Sequence, residues 1–259
     1  MNRLRLTLQR LSVIAFIVFM WELTTGGIDP RFMLFSPLLA GRPSLIVIDL
    51  YDYLISGLFL KDFIFTMQAT FIGLFIGIVT GVGCGLLFAY HKGIAETLDP
   101  IFVGFNSLPR PALAPLLLIW FGLGIASKIF LAWSIVFFLV FYNTLLGVKS
   151  IDPDLIKVVK VMGASKLQIM KEVTLPAVFS WIFAAFRVSV SFALIGAIIG
   201  EFVGSHAGLG YRMAYSAGLF LTQRVYGILI ILMFIGATLV EISKRIENAI
   251  LKWRPQIVF

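Results

Sequence analysis

Long apolar runs alternate with short polar segments along the chain. Residues 63–90 carry no charged side chain, and neither do residues 129–148, which lie between Lys128 and Lys149. A bilayer crossing takes ~20 predominantly apolar residues at 1.5 Å rise, because lipid leaves the backbone polar groups to be satisfied within the helix. Both runs meet that length. A third, from about Ile101 to Phe121, contains Arg110 between two prolines, and a fifth, from about Ala177 to Val203, contains Arg187. The last covers about Val225 to Val240. The first, Leu11 to Thr24, is short and holds Glu22. It could be a signal peptide, but no small-x-small cleavage site follows, so it reads as a span with a frayed outer end. The pattern predicts an all-α membrane protein of about six transmembrane helices, a single domain over residues 1–259 with both termini on one side.

Small residues recur every fourth position in the second span, at Ala69, Gly73, Gly77, Gly81, Gly85 and Ala89. At 3.6 residues per turn they form one slowly drifting stripe that lets another helix approach closely. The fifth span repeats the device at Gly196, Gly200, Gly204 and Gly208. Two such helices predict a compact bundle rather than a lone anchor.

Composition agrees with lipid as the solvent. The 259 residues are 60% apolar and only 13% charged, against ~25% charged in soluble domains. Disorder and a coiled coil are excluded on the same ground, and the single cysteine, Cys84, excludes a disulfide scaffold. The net charge of +8 raises the question of nucleic acid, but topology accounts for it. Cytoplasmic segments of membrane proteins carry the excess of Lys and Arg. With the N-terminus inside, Arg3, Arg5, Arg10, Lys92, Lys149, Lys157, Lys160, Lys166, Lys171, Lys244, Arg245, Lys252 and Arg254 fall there, 13 against 6 outside. Trp21, Trp120 and Trp133 near outer ends, and Trp181 and Trp253 near inner ends, fit an aromatic belt. Nucleic acid is not needed.

The third span reads Ser107-Leu-Pro-Arg-Pro-Ala-Leu-Ala-Pro115. Pro109, Pro111 and Pro115 each lack a backbone donor and disfavour helix just before them. Unwound backbone at membrane depth is tolerated where protein buries it or where it lines a cavity. Arg110 within it is therefore either a wall of a solute pathway or a structural group, paired with Glu201 for instance. Arg187 sits in a more regular helix and favours a structural role. Glu201, before a Gly-rich outer turn, either gates the outer mouth or pairs with a basic residue. Asn106 and Asn143 are further candidates for the pathway wall, and an unwound backbone beside Arg110 would suit an anion.

Segment 149–176 is different in kind. Asp152-Pro153 reads as an N-cap followed by proline in the first turn. A short helix follows with Leu155, Ile156, Val159 and Met162 on one side, until Gly163 breaks it. Ser165 with Gln168 three residues on is a capping box that opens a second helix, which Leu175-Pro176 ends. An apolar helix-turn-helix outside the membrane needs a cover, either a peripheral protein or the lipid surface itself.

These residues resemble the loop shared by inner-membrane permease subunits of binding-protein-dependent ABC importers. That loop runs Glu-Ala-Ala, three residues, Gly, nine residues, an aliphatic, one residue, Leu-Pro. Here it reads Lys157-Val158-Val159, Gly163, Val173, Leu175-Pro176, with Lys157 in place of the usual acid. Leu116-Leu-Leu-Ile-Trp-Phe-Gly-Leu-Gly124, Gly147-Val-Lys-Ser-Ile-Asp-Pro153, Met162-Gly-Ala-Ser165 and Glu201-Phe-Val-Gly-Ser-His-Ala-Gly-Leu-Gly-Tyr211 are similar to the nitrate/sulfonate/taurine branch, over roughly residues 60–254. The resemblance implies the type I ABC importer transmembrane-domain fold in a bacterial cytoplasmic membrane. It implies that Lys157, Val158, Val159, Gly163, Ala164 and Ser165 form a coupling helix seated on one of two separate ATPase subunits, which hold the ATP and Mg. A second copy of the permease would complete the pathway, and an extracytoplasmic binding protein would deliver a small solute.

The residues agree that phosphate chemistry lies elsewhere, since no G-x-x-x-x-G-K-[ST] loop is present. An intramembrane enzyme has little to stand on: of two histidines, His91 lies at a boundary and His206 in an outer loop, with no HExxH and no Ser–His pair at one depth. No metal, cofactor or catalytic residue is expected on this chain. The remaining rival is a stand-alone channel or secondary transporter. Such folds often show paired broken helices in related halves; here only the third span is broken.

Overall fold

The computed structural model describes residues 3–250, and helix is the only regular structure among them. α1 (Arg3–Thr24) stands on the flank of the molecule, its span unburied by the rest of the chain. Its C-terminal end is not frayed. Glu22 accepts from the Ser44 backbone N–H (3.0 Å) and hydroxyl (2.7 Å), Trp21 Nε1 donates to Ala40 O (3.3 Å), and Arg42 donates to Thr25 O (2.7 Å). A carboxylate at the start of the helix that begins at Pro43 is favourable, so the acid that shortens the apolar run is a fastener.

The segment after α1 is folded rather than a simple loop. A 3-10 turn (Pro30–Phe32) leads to α2 (Pro37–Ala40) and α3 (Pro43–Ile55), each helix with proline in its first turn. α4 (Leu58–Tyr90) then crosses in one run of 33 residues. The third span is corrected: it begins earlier, as α5 (Lys92–Ser107), and turns through 89° into a 3-10 turn (Arg110–Leu113) and α6 (Ala114–Phe121). Leu108 and Pro109 are extended at the corner, and Pro109 disfavours helix at Leu108 before it. α7 (Ile125–Lys149) is the central helix.

After α7 come α8 (Pro153–Val161) and α9 (Lys166–Ile169). Leu175-Pro176 does not end α9. The chain passes through a π-helical turn (Met170–Thr174) straight into α10 (Leu175–Val203), and Leu175 N–H bonds Met170 O. The wider turn accommodates the proline, which lacks an N–H and would clash in an unbroken helix. The Gly-rich turn after α10 also holds a helix, α11 (Leu209–Gly218), before α12 (Thr222–Ile250). Five helices are long and apolar enough to cross a membrane, and the bent pair makes up to six among the described residues. Trp253, Lys252 and Arg254 lie outside them.

The core is α4 and α10 packed on α7. The small-residue stripe does what its spacing predicts: a methyl group placed on Gly73, Gly77 or Gly81 would come within 2.9 Å of Ala132, Val136 or the Phe137 carbonyl on α7. Gly196 meets α7 from the other side, 2.8 Å from Ala132 Cα by the same construction. Trp133 belongs to this packing rather than to a belt, donating from Nε1 to Thr80 Oγ1 at 3.0 Å.

Candidate functional site

The corner between α5 and α6 sets Arg110 against α7. Its guanidinium lies 4.3 Å above the Phe138 ring, and Nη2 donates to Asn106 Oδ1 at 3.3 Å. Among the described residues no carboxylate pairs with it, and it lines a cavity of about 290 Å³. Asn106, Tyr142, Asn143 and Phe192 complete the working lining. Asn143, also in the lining, donates to Leu139 O at 2.8 Å. A half-buried cation, two amides, a phenol and aromatic faces in one concavity suit a small anionic or carbonyl-bearing solute.

Three of the five sequence candidates, Asn106, Arg110 and Asn143, thus come together; Arg187 and Glu201 do not. Arg187 reaches Glu247 on α12 at 3.5 Å, a tie between spans. The pairing of Arg110 with Glu201 is also absent. Tyr142 escaped sequence reasoning, although its place four residues after Phe138 and beside Asn143 was the signal available.

Glu201 belongs to a buried polar cluster under loop 204–210. Its Oε2 accepts from Thr66 Oγ1 (3.0 Å) and Gly210 N–H (2.8 Å), and Leu209 N–H donates to Thr66 Oγ1 (2.9 Å). Asp62, fully buried, accepts from Tyr53 Oη (2.9 Å), Arg212 Nε (2.8 Å) and Gly208 N–H (3.0 Å). Burial, and after it the Asp62 carboxylate, raise the Tyr53 phenol above its ordinary value. Lys128, expected as a flanking charge, is wholly buried and donates to Leu123 O (2.9 Å), Ser127 Oγ (3.1 Å) and Gly204 O. Loop 204–210 is therefore stapled to α4, α7 and α10 at once.

At the opposite end, α8 and α9 form the expected helix-turn-helix. Asp152 Oδ1 accepts from Asp154 N–H (2.8 Å), and Gly163 closes α8 at φ +86°, a conformation glycine adopts without strain. Ser165 and Gln168 make the reciprocal capping box. The expected single apolar side is divided. Ile156 and Val159 turn inward, while Leu155, Val158, Val161 and Met162 face out, the last two 89% and 80% exposed. Lys157 pairs with Asp154 of its own helix at 2.8 Å, both side chains mostly exposed.

Residues 73–252 match the family model described as "Binding-protein-dependent transport system inner membrane component". The chain is 30% identical over 225 residues to the riboflavin transport system permease protein RibX of Chloroflexus aurantiacus, covering 86% of this chain and 81% of that protein. It is 29% identical to the formylaminopyrimidine transport permease protein ThiX of Halalkalibacterium halodurans over 92% of both chains. With the taurine transport system permease protein TauC of Escherichia coli it shares 30% over 72% of this chain and 68% of that one. Among solved structures, a chain of the inward-facing MetNI methionine ABC transporter superposes with a TM-score of 0.66 at 20% identity, covering 75% of this chain and 97% of that one. A chain of a bacterial ABC transporter that imports the acidic polysaccharide alginate gives 0.65 at 16%, over 96% and 99%.

Proposed function

The chain belongs to the family of binding-protein-dependent transport system inner membrane components, and on that premise we propose a division of labour between its two ends. It is a transmembrane permease subunit of an ABC importer, with the fold of type I importer transmembrane domains. The family implies an ATPase and a substrate-binding protein as partners. In our reading residues 1–259 act as one permease domain in a bacterial cytoplasmic membrane, both termini inside. Two copies enclose the path, and two cytoplasmic subunits bind ATP and Mg. The permease itself catalyses nothing and holds no cofactor.

The observation that carries this reading is α8. A capped helix outside the spans turns Val161 and Met162 almost wholly to solvent, and apolar side chains so presented mark an interaction surface. Lys157, Val158, Val159, Gly163, Ala164 and Ser165 form that contact, and Lys157 brings its own counter-ion, Asp154, instead of relying on one from the ATPase. A Cβ at Gly163 meets no neighbour within 4 Å, but a non-glycine residue there takes on backbone strain of about 1–2 kcal/mol. Gly163→Val is expected to lower stimulated ATPase activity and transport in vesicles while membrane insertion stays intact. Unchanged coupling would remove the assignment. Expression beside its ATPase should yield a co-purifying complex; a permease that transports without one would be a stand-alone transporter instead.

At the other end, the cavity around Arg110 forms part of the wall of the path. The solute is small and anionic, taken from the binding protein. A charge-assisted hydrogen bond contributes about 1.5–3 kcal/mol, so Arg110→Gln should raise the KM for transport about 10- to 100-fold, with Arg110→Lys intermediate. Equal KM values in all three would take Arg110 off the path.

A further inference from the structure

A groove of about 580 Å³ lies between α8 and the ends of the spans, on the side of α8 turned away from Val161 and Met162. Three of its lining residues lie at or beside the ends of the long apolar helices. Tyr90 is the last residue of α4, Val148 lies one residue before the end of α7, and Thr174 immediately precedes α10. Tyr90 Oη donates to Thr174 Oγ1 at 2.6 Å and closes one wall. The continuous run Lys166–Val203 holds 38 residues, about 57 Å at helical rise, well beyond a ~30 Å hydrocarbon core. Its first turns therefore sit at or below the headgroups.

The lining has two chemistries. Ile151, Ile156, Leu167 and Met170 are apolar, whereas Lys160, Lys166 and His91 are basic, and no acidic residue lines the groove. Neither lysine pairs with a carboxylate among the described residues. His91 Nδ1 lies 3.3 Å from Leu87 O, which leaves Nε2 to a ligand. Soluble phosphate would satisfy the cations but has no use for the aliphatic wall; a neutral lipid would satisfy the wall and leave the cations idle.

We propose that this groove binds an anionic phospholipid, its phosphate held by Lys160, Lys166 and His91 and the start of an acyl chain lying against Ile156, Leu167 and Met170. Basic pockets at the cytoplasmic ends of spans hold such headgroups through the same pairing. Because Lys160 is on α8, Lys166 opens α9 and His91 joins α4 to α5, the lipid bridges the coupling element to the membrane helices. That consequence rests on the coupling role of α8, but occupancy of the groove does not.

The test is native mass spectrometry of the permease–ATPase complex from nanodiscs of phosphatidylcholine with and without phosphatidylglycerol. Phosphatidylglycerol adducts are expected on the wild-type permease and an about 30-fold weaker affinity in the Lys160→Ala/Lys166→Ala variant, from about 1 kcal/mol per lysine. Lys171→Ala, outside the groove, should retain them. Equal retention of both lipids, adducts unaffected by the double variant, or Lys160 and Lys166 shielded from acetylation by the ATPase alone would overturn the proposal. Gly163→Val tests coupling separately: adducts kept with ATPase stimulation lost would sustain the site and the coupling reading together, whereas adducts lost from the lysine variant with stimulation unchanged would sustain the site alone.

Discussion

Asp62→Ala is expected to lower the unfolding free energy by about 3–5 kcal/mol, the loss that follows removal of one member of a buried ion pair. Asp62 is fully buried and satisfies three donors at once: the Arg212 guanidinium, the Tyr53 hydroxyl and the Gly208 backbone N–H. Without the carboxylate a guanidinium with only 18% of its side chain exposed loses its counter-charge, and two further donors lose their acceptor. Asp62→Asn keeps an acceptor and should fall between the two. Chemical unfolding in detergent micelles measures this. A double-mutant cycle with Arg212→Ala should return coupling of about 1–3 kcal/mol, because the two side chains share one cluster. A cost below about 1 kcal/mol for Asp62→Ala would show that loop 204–210 is held by something else. The exposed Lys157–Asp154 pair is the contrast: both groups are well solvated, so breaking it should leave the unfolding curve in place.

The contrast between those two ion pairs also explains what the sequence could reveal. Apolar length and small-residue spacing are local signals, so α4, α7, α10 and α12 were legible, as were the caps at Asp152 and Ser165. Their physical cause lies within a few residues of chain. The cluster around Asp62 and Glu201 is the opposite case. Asp62 meets Arg212 across 150 positions and Glu201 meets Thr66 across 135, and nothing local distinguishes Asp62 from Asp52. In a tally of charges per loop, Asp62, Lys128 and Arg212 count only as outer residues. α3 was hidden for a related reason. Asp49 and Asp52 interrupt its apolar run, yet Asp49 is taken up by a bidentate contact with Arg224 at 2.6 and 2.9 Å. At the candidate pathway the prolines disclosed the corner but not its angle, so the partners of Arg110 were legible only as polar residues in apolar helices. Tyr142, polar at one atom and apolar elsewhere, did not stand out.

Replacing Gly81 by Ala should destabilise the fold by about 1–3 kcal/mol, although Ala is the better helix former. The added methyl would stand 2.8 Å from Phe137 O and 2.9 Å from Val140 Cβ. A carbonyl oxygen bonded within α7 cannot rotate aside, so the two helices must separate. Gly73→Ala presents the same conflict one stripe position earlier but one, at 2.9 Å from Ile129 O and 2.7 Å from Ala132 Cβ. Because one outward shift of α4 relieves both, the double variant should cost less than the sum of the singles, a sign that the strain is carried by the helix pair as a body. Gly83 lies on the other side of the same helix, where an added methyl meets nothing within 4 Å. Gly83→Ala should be neutral or stabilising by up to about 1 kcal/mol through reduced freedom of the unfolded chain. The three variants share a helix, a substitution and a lipid environment, and differ only in what faces the methyl. If Gly83→Ala proved as damaging as Gly81→Ala, the cost would come from the helix itself, and close approach to α7 would not be the reason for the stripe.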